Sequence, residues 1–246
     1  MTTQPAPRRP MPNGSSNAGP VGWMLIIVLG LIGSIIMSWF IGVVIEMVGC
    51  YSVWSDNCMG HSRDLVAEDL NYIAAAPRSI LFPDTVEVAN WLIGWVAWPY
   101  QHLQIEQVYN HYQSVDLTHL KGIRKALAAI TKDGSRLLLI SQYVLQDTML
   151  RFAIAVFAAP AFVLACLLGA VDGLVRRDLR KWGGGRESSF VYHNAKRATT
   201  WSCVAGFTLY LAWPFGGFNP AYMVLIFTVL VAFSLSTALA SFKKYL

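Results

Sequence analysis

From residue 21 to residue 45 the chain carries no charged side chain, and this run decides the solvent in which the fold is built. About 20 apolar helical residues cross a hydrocarbon core. Helix is the answer for a single segment, because every backbone N–H and C=O must find its partner inside that segment. A longer run leaves room for tilt. Three further charge-free apolar runs occupy 152–171, 198–214 and 221–242. The third of the four runs is short and closes on Pro214, Gly216 and Gly217, so the stretch 214–220 predicts a tight connection to the fourth. Composition agrees: 55% of the 246 residues are hydrophobic and 13% are charged, too few charges to cover a water-soluble globule.

Residues 1–20 hold five prolines among glycine, serine and asparagine, a mixture that cannot bury enough apolar surface to offset chain entropy, and predict a disordered tail. Arg8 and Arg9 ahead of an apolar run also fit a cleaved signal peptide, with Met47-Val48-Gly49-Cys50 as a lipoprotein-like box, or twin-arginine export. The run exceeds the ~7 to 15 residues of a signal h-region, Glu46 interrupts the box and Pro10 follows the arginine pair. A retained first span is the stronger reading.

Between the first and second spans, residues 46–150 are of mixed character with helical periodicity. Trp91, Trp95 and Trp98 recur at i, i+4 and i+7 and share one helix face. Pro83 and Pro99 bracket that segment, which is too short to span and reads as an amphipathic helix at the bilayer interface or packed on the spans. Residues 133–151 are expected to run into the second span, 151–171, as one long helix.

Charge gives an orientation. Residues 46–150 hold seven basic and eleven acidic side chains, residues 172–197 seven basic and three acidic, and Lys243 and Lys244 lie at 243–246. Positive side chains stay on the cytoplasmic side. Four spans therefore predict both termini and the 172–197 loop in the cytoplasm, with 46–150 outside. On that oxidising side Cys50 and Cys58 form a disulfide or remain two unrelated thiols; Cys166 and Cys203 read as packing residues in spans.

Small residues repeat every four positions: Gly30, Ser34, Ser38 and Gly42 in the first span, Ala161, Ala165, Gly169 and Gly173 in the second, Thr228, Ala232, Ser236 and Ala240 in the fourth, with Ser202 and Gly206 a shorter pair in the third. Such stripes let backbones approach closely and predict a compact helix bundle or a homo-oligomer. Patterns for chemistry are sparse. No charge lies inside the four spans as drawn, which counts against a pump. His102 and Glu106, at i, i+4 on an expected helix, are candidate metal ligands with His111 or His119, weighed against solvated loop side chains. Glu68 and Asp69 are neighbours that point apart. Residues 183–188 have the glycines of a phosphate loop without its GK[ST] ending, and no serine has a G-x-S-x-G context. The expectation is no catalytic residue, no cofactor, no metal and no direct nucleic-acid binding.

The loop after the second span is basic: Arg176 and Arg180 lie one turn apart, as do Arg177 and Lys181, followed by Arg186, Lys196 and Arg197. It is either a topology anchor touching anionic headgroups or a docking surface for an acidic partner. GAVDGLVRRDLRKWGGGRESSFVYHNAKR at 169–197, with SFKKYL at 241–246, resembles the integrating conjugative element membrane proteins. The resemblance is specific over the last hundred or so residues, looser over the first span and weak over 46–150. It implies an inner-membrane setting beside a type IV secretion apparatus, with other conjugative transfer membrane proteins as partners, and it brings no catalytic residues. Taken together the chain is expected to be an all-α polytopic membrane protein with four transmembrane helices and a large, mostly helical extracytoplasmic segment. Its expected role is a non-enzymatic accessory of conjugative transfer. The alternatives are an entry-exclusion or regulatory protein of the element, or a membrane enzyme or small transporter with a site near His102 and Glu106.

Overall fold

The computed structural model describes residues 20–76, 79–115, 121–183 and 189–241, so the expected tail at 1–19 and the C-terminal 243–246 lie outside the described residues. Eight α-helices follow in order: α1 (Pro20–Ser52), α2 (Cys58–Ala75), α3 (Thr85–His102), α4 (Ile105–Ser114), α5 (Ile123–Phe157), α6 (Ala159–Trp182), α7 (Ser189–Leu211) and α8 (Pro220–Ala240). No strand occurs among the described residues. By contacts the chain divides after Gly33: the first unit contributes the opening turns of α1, and Ser34–Leu246 forms the second.

Among the described residues three helices, not four, are long and apolar enough to cross a membrane: Val28–Ser52 of α1, then α6 and α8. The expected third span fails for a physical reason. α7 opens on His193, Lys196 and Arg197 and ends at Leu211, so its charge-free part, 198–211, gives about 21 Å of helix against a core of ~30 Å. The second span also begins elsewhere. Residues 133–151 belong to α5, which stops at Phe157; Pro160, at the start of α6, has no N–H to give Val156 and its ring crowds that carbonyl. The α5 and α6 helices are therefore separate. Pro99 does not close α3 as expected, and the helix continues to His102.

Within the second unit the helices order themselves by paired contacts. Trp39 Nε1 donates to the Ser141 carbonyl at 3.1 Å, and a Cβ at Gly42 would meet Val144 at 2.7 Å. Both residue numbers rise together, so α1 and α5 run parallel here. On α5, Gln146 donates to the Ile93 carbonyl at 3.2 Å and Ser141 meets Tyr100 at 3.3 Å, which makes α3 antiparallel to it. Two apolar cores result. One joins Val66, Ile73, Ala89, Leu150 and Ile154, and the other joins Cys50, Ile140 and Val144, with Trp39 and Trp54 against them. Residues 46–150 thus pack along the C-terminal half of α1 through α5.

The α6 and α8 helices meet along the small-residue stripes. A Cβ at Gly169 would lie 2.5 Å from the Ala232 carbonyl oxygen, and one at Gly173 2.5 Å from that of Ser236. The backbones touch there, and α6 and α8 are parallel. Between them α7 returns in the opposite direction, since Thr199 bonds Ser234 at 3.1 Å while Gly206 abuts Phe227. The predicted tight connection leads into α8: Gly217 takes a φ of +76°, which glycine adopts at little cost, and Asn219 caps the helix by accepting from Ala221 N at 2.9 Å.

Candidate functional site

Asp147 and Arg151 lie one turn apart on α5, where opposite charges at i, i+4 meet. Asp69 arrives from α2. Arg151 Nε sits 2.8 Å from Asp69 Oδ2 and 3.2 Å from Asp147 Oδ2, and all three residues are buried. The rest of the guanidinium turns to the end of α7, donating to the carbonyls of Tyr210, at 3.5 Å, and Trp213. These acceptors are available because the last carbonyls of a helix have no partner within it. The Tyr210 hydroxyl donates back to the Arg151 carbonyl at 2.8 Å. Burial lifts the Asp147 carboxyl well above the ordinary carboxylate range, with Arg151 pulling the other way.

A carboxylate–imidazole contact lies alongside. Glu46, on α1 and 2% exposed, has both carboxylate oxygens near His61 Nδ1, at 3.1 and 3.2 Å. The His61 ring stacks on Trp54 with centroids 3.9 Å apart. Trp54 Nε1 and Ser62 Oγ face the Glu46 carboxylate without reaching hydrogen-bond geometry. A Cys50–Cys58 disulfide closes the loop that carries Trp54, and a side chain at Gly49 would collide with the Trp54 ring. A cavity of about 10 Å3 lies between the pairs, lined by Glu46, Ser62 and Asp147.

The basic residues gather elsewhere, toward the C-terminal end of α6 and the start of α7. Arg176 lies 3.0 Å from Asp172, which also accepts from Ser236 Oγ at 2.6 Å. Arg177 and Lys181 flank Asp178 at 3.8 and 3.9 Å. Arg177 Nε and Arg180 Nη2 make no hydrogen bond with any described residue. Lys196 and Arg197 are exposed on α7, and Arg186 lies outside the described residues.

Residues 53–243 match the family described as IncC plasmid conjugative DNA transfer protein DtrJ-like. The chain belongs to the DtrJ-like family. No curated protein and no solved structure matches it. The matched stretch begins just past α1 and covers α2 through α8 of this DtrJ-like chain, including the region where the sequence resemblance was weakest.

In the DtrJ-like fold the metal candidates separate. A turn at Leu103 and Gln104, the latter at a φ of 52°, divides α3 from α4, so His102 and Glu106 do not share a continuous helix. His102 stacks on Trp98 instead, His111 rests edge-on against Tyr112, and His119 lies outside the described residues, as does the glycine stretch 184–188. Glu68 and Asp69 do point apart: Glu68 accepts from Tyr72 and from Gly217 N, each at 2.7 Å. The helices run past the charge-free stretches: α1 continues to Ser52 with Glu46 buried on it, and α6 carries Asp172 and Arg176. Sequence reading placed Glu46, Asp147 and Arg151 at loop and span boundaries and missed their convergence. The signal that could have found it is an i, i+4 ion pair inside the apolar 139–154 stretch.

Proposed function

We propose that this DtrJ-like protein is a non-enzymatic accessory of a conjugative DNA transfer apparatus of the type IV secretion kind, held in the bacterial inner membrane. The observation that carries the reading is the family match over 53–243. Three helices of membrane-crossing length and composition support the setting. An integrating conjugative element is the proposed genetic context, from the resemblance at 169–197, and other transfer membrane proteins are the proposed partners.

Orientation follows from where charges and cysteines fall. The α1 helix runs alongside α7 in the same sense, with Ser38 on the Thr208 carbonyl and Glu46 beside Leu211 and Ala212. Its C-terminal end, with the Cys50–Cys58 disulfide, therefore lies at the end of the bundle opposite Arg176, Arg177, Arg180 and Lys181. Basic ends are retained in the cytoplasm and disulfides persist on the oxidising side, so the two features support one orientation: basic end inside, disulfide outside. The basic side chains of this end, with Arg176, Lys181, Lys196 and Arg197 exposed, then face anionic headgroups or an acidic cytoplasmic partner.

The test is a crosslinked pull-down from mating donor cells, with Arg176, Arg177 and Arg180 all replaced by Ala as the control. Recovery of secretion-channel or coupling proteins, lost in the control, is the expected result. Unchanged transfer frequency on deleting the gene from the donor overturns it, and an effect confined to expression in the recipient replaces it with entry exclusion.

A further inference from the structure

The space between the Arg151 cluster and the Glu46–His61 contact is bounded in part by two atoms with no hydrogen-bond partner among the described residues. Ser62 and Asp147 are 2% and 7% exposed, and Ser62 Oγ and Asp147 Oδ1 make no hydrogen bond with any described residue. Both residues line the cavity of about 10 Å3, with Glu46 beside them. That is about the room a single water needs, and a buried water requires two to four polar partners. Ser62 Oγ, Asp147 Oδ1 and the Glu46 carboxylate supply three. Without an occupant Ser62 Oγ and Asp147 Oδ1 would bear their full desolvation penalty.

Charge makes the same demand. Asp147 is faced by Asp69 from α2, Arg151 on its own helix, Glu46 from α1 and Tyr210 from α7, with His61 beyond Glu46. Three carboxyl groups stand against one guanidinium and one imidazole. Even with His61 charged, one negative charge is left over among carboxyl groups that are themselves buried, and a buried uncompensated charge is neutralised rather than tolerated. Two carboxylates on one Arg151 Nε share a cation that balances only one of them. The cavity has no room for a hydrated metal ion, which leaves the smallest cation.

We infer that this cavity is a proton-binding site, in which Asp147 is a neutral acid and one water joins it to Ser62 and Glu46. The proton comes from solvent, and His61, with a quarter of its side chain exposed, is the member of the cluster nearest to it. Buried ionisable groups whose charges do not balance take up a proton; here they form a site that loads or releases one proton as its surroundings change.

Infrared spectroscopy of the full-length protein reconstituted in liposomes at neutral pH reads this directly, through the C=O stretch of a protonated carboxyl group. The wild type shows the band, Asp147→Asn abolishes it, Glu46→Gln keeps it, and Ser62→Ala shifts it because the water loses a partner. Absence of the band in the wild type, or its persistence in Asp147→Asn, overturns the site. Loss of the band in Glu46→Gln alone assigns the proton to Glu46 and overturns the role of Asp147. An unmoved band in Ser62→Ala removes the water. Folding is checked by thermal unfolding. Asp147→Asn copies the neutral acid and melts at or above the wild-type temperature, whereas a collapse of its melting point, set against a stable Glu46→Gln, means that the ionised carboxylate is the native form.

Discussion

Arg151 is the side chain on which most buried polar groups of this protein converge. Removing it leaves Asp69 and Asp147 buried without their cation, and breaking a buried pair from one side costs about 3–5 kcal/mol. Arg151→Met is expected to lower stability by that amount in thermal unfolding of the detergent-solubilised protein. Arg151→Lys is expected to recover little, because an ammonium lacks the planar fork that reaches two carboxylates and the carbonyls of Tyr210 and Trp213 together. Asp147 sets the pH dependence. Its folded pKa is raised, so the folded chain holds a proton that the unfolded aspartate, with a pKa of about 3.9, has already released. Stability therefore falls as pH rises above about 4 toward the raised value, and melting temperatures across that window are expected to decline in the wild type and flatten in Asp147→Asn. None of this could be read from the sequence, where Arg151 and Glu46 look like ordinary end-of-span charges. What makes them a site is the return of α7 to the end of α1, a contact between residues more than a hundred positions apart.

At the scale of elements, the four-residue stripes were the most informative pattern. They gave the faces on which α6 and α8 meet but not the pairing, since a stripe carries no record of its partner. At Gly173 the neighbour is backbone, the Ser236 carbonyl at 2.5 Å from a built Cβ, and cannot swing aside. Gly173→Ala is thus expected to cost about 1–3 kcal/mol, measured as a lower unfolding midpoint, while Gly94→Ala, with open space around it, serves as the neutral comparison. The tryptophan stripe was likewise readable from its spacing. Trp91, Trp95 and Trp98 are 65%, 66% and 65% exposed while Ala89, Val96 and Ala97 on the other side of α3 are buried. Amphipathic indoles of this kind settle at the headgroup level. Fluorescence quenching by lipids brominated at graded depths is expected to be strongest at the shallow position, and to weaken when all three are replaced by Ala. Where the sequence misled, the cause was local. Pro99 suggests a stop, but its late position lets the last turn of α3 continue to His102, and the apolar run 198–214 suggests a span, but α7 ends at Leu211.

The disulfide and the basic cluster of α6 lie at opposite ends of the α1, α6, α7 and α8 group. The disulfide closes a short loop, and chain entropy gives it about 2–3 kcal/mol. Reduction is therefore expected to lower the melting temperature of the wild type and to leave a Cys50→Ser, Cys58→Ser double variant unmoved. The parallel pairing of α6 with α8 has a further consequence, for biosynthesis. The glycine face of α6 emerges before its partner exists, and the acceptors for Arg151 lie at the close of α7, just ahead of α8 in the chain. A nascent chain halted before α8 would hold the Arg151 cluster complete and still present a bare helix seam to the insertion machinery.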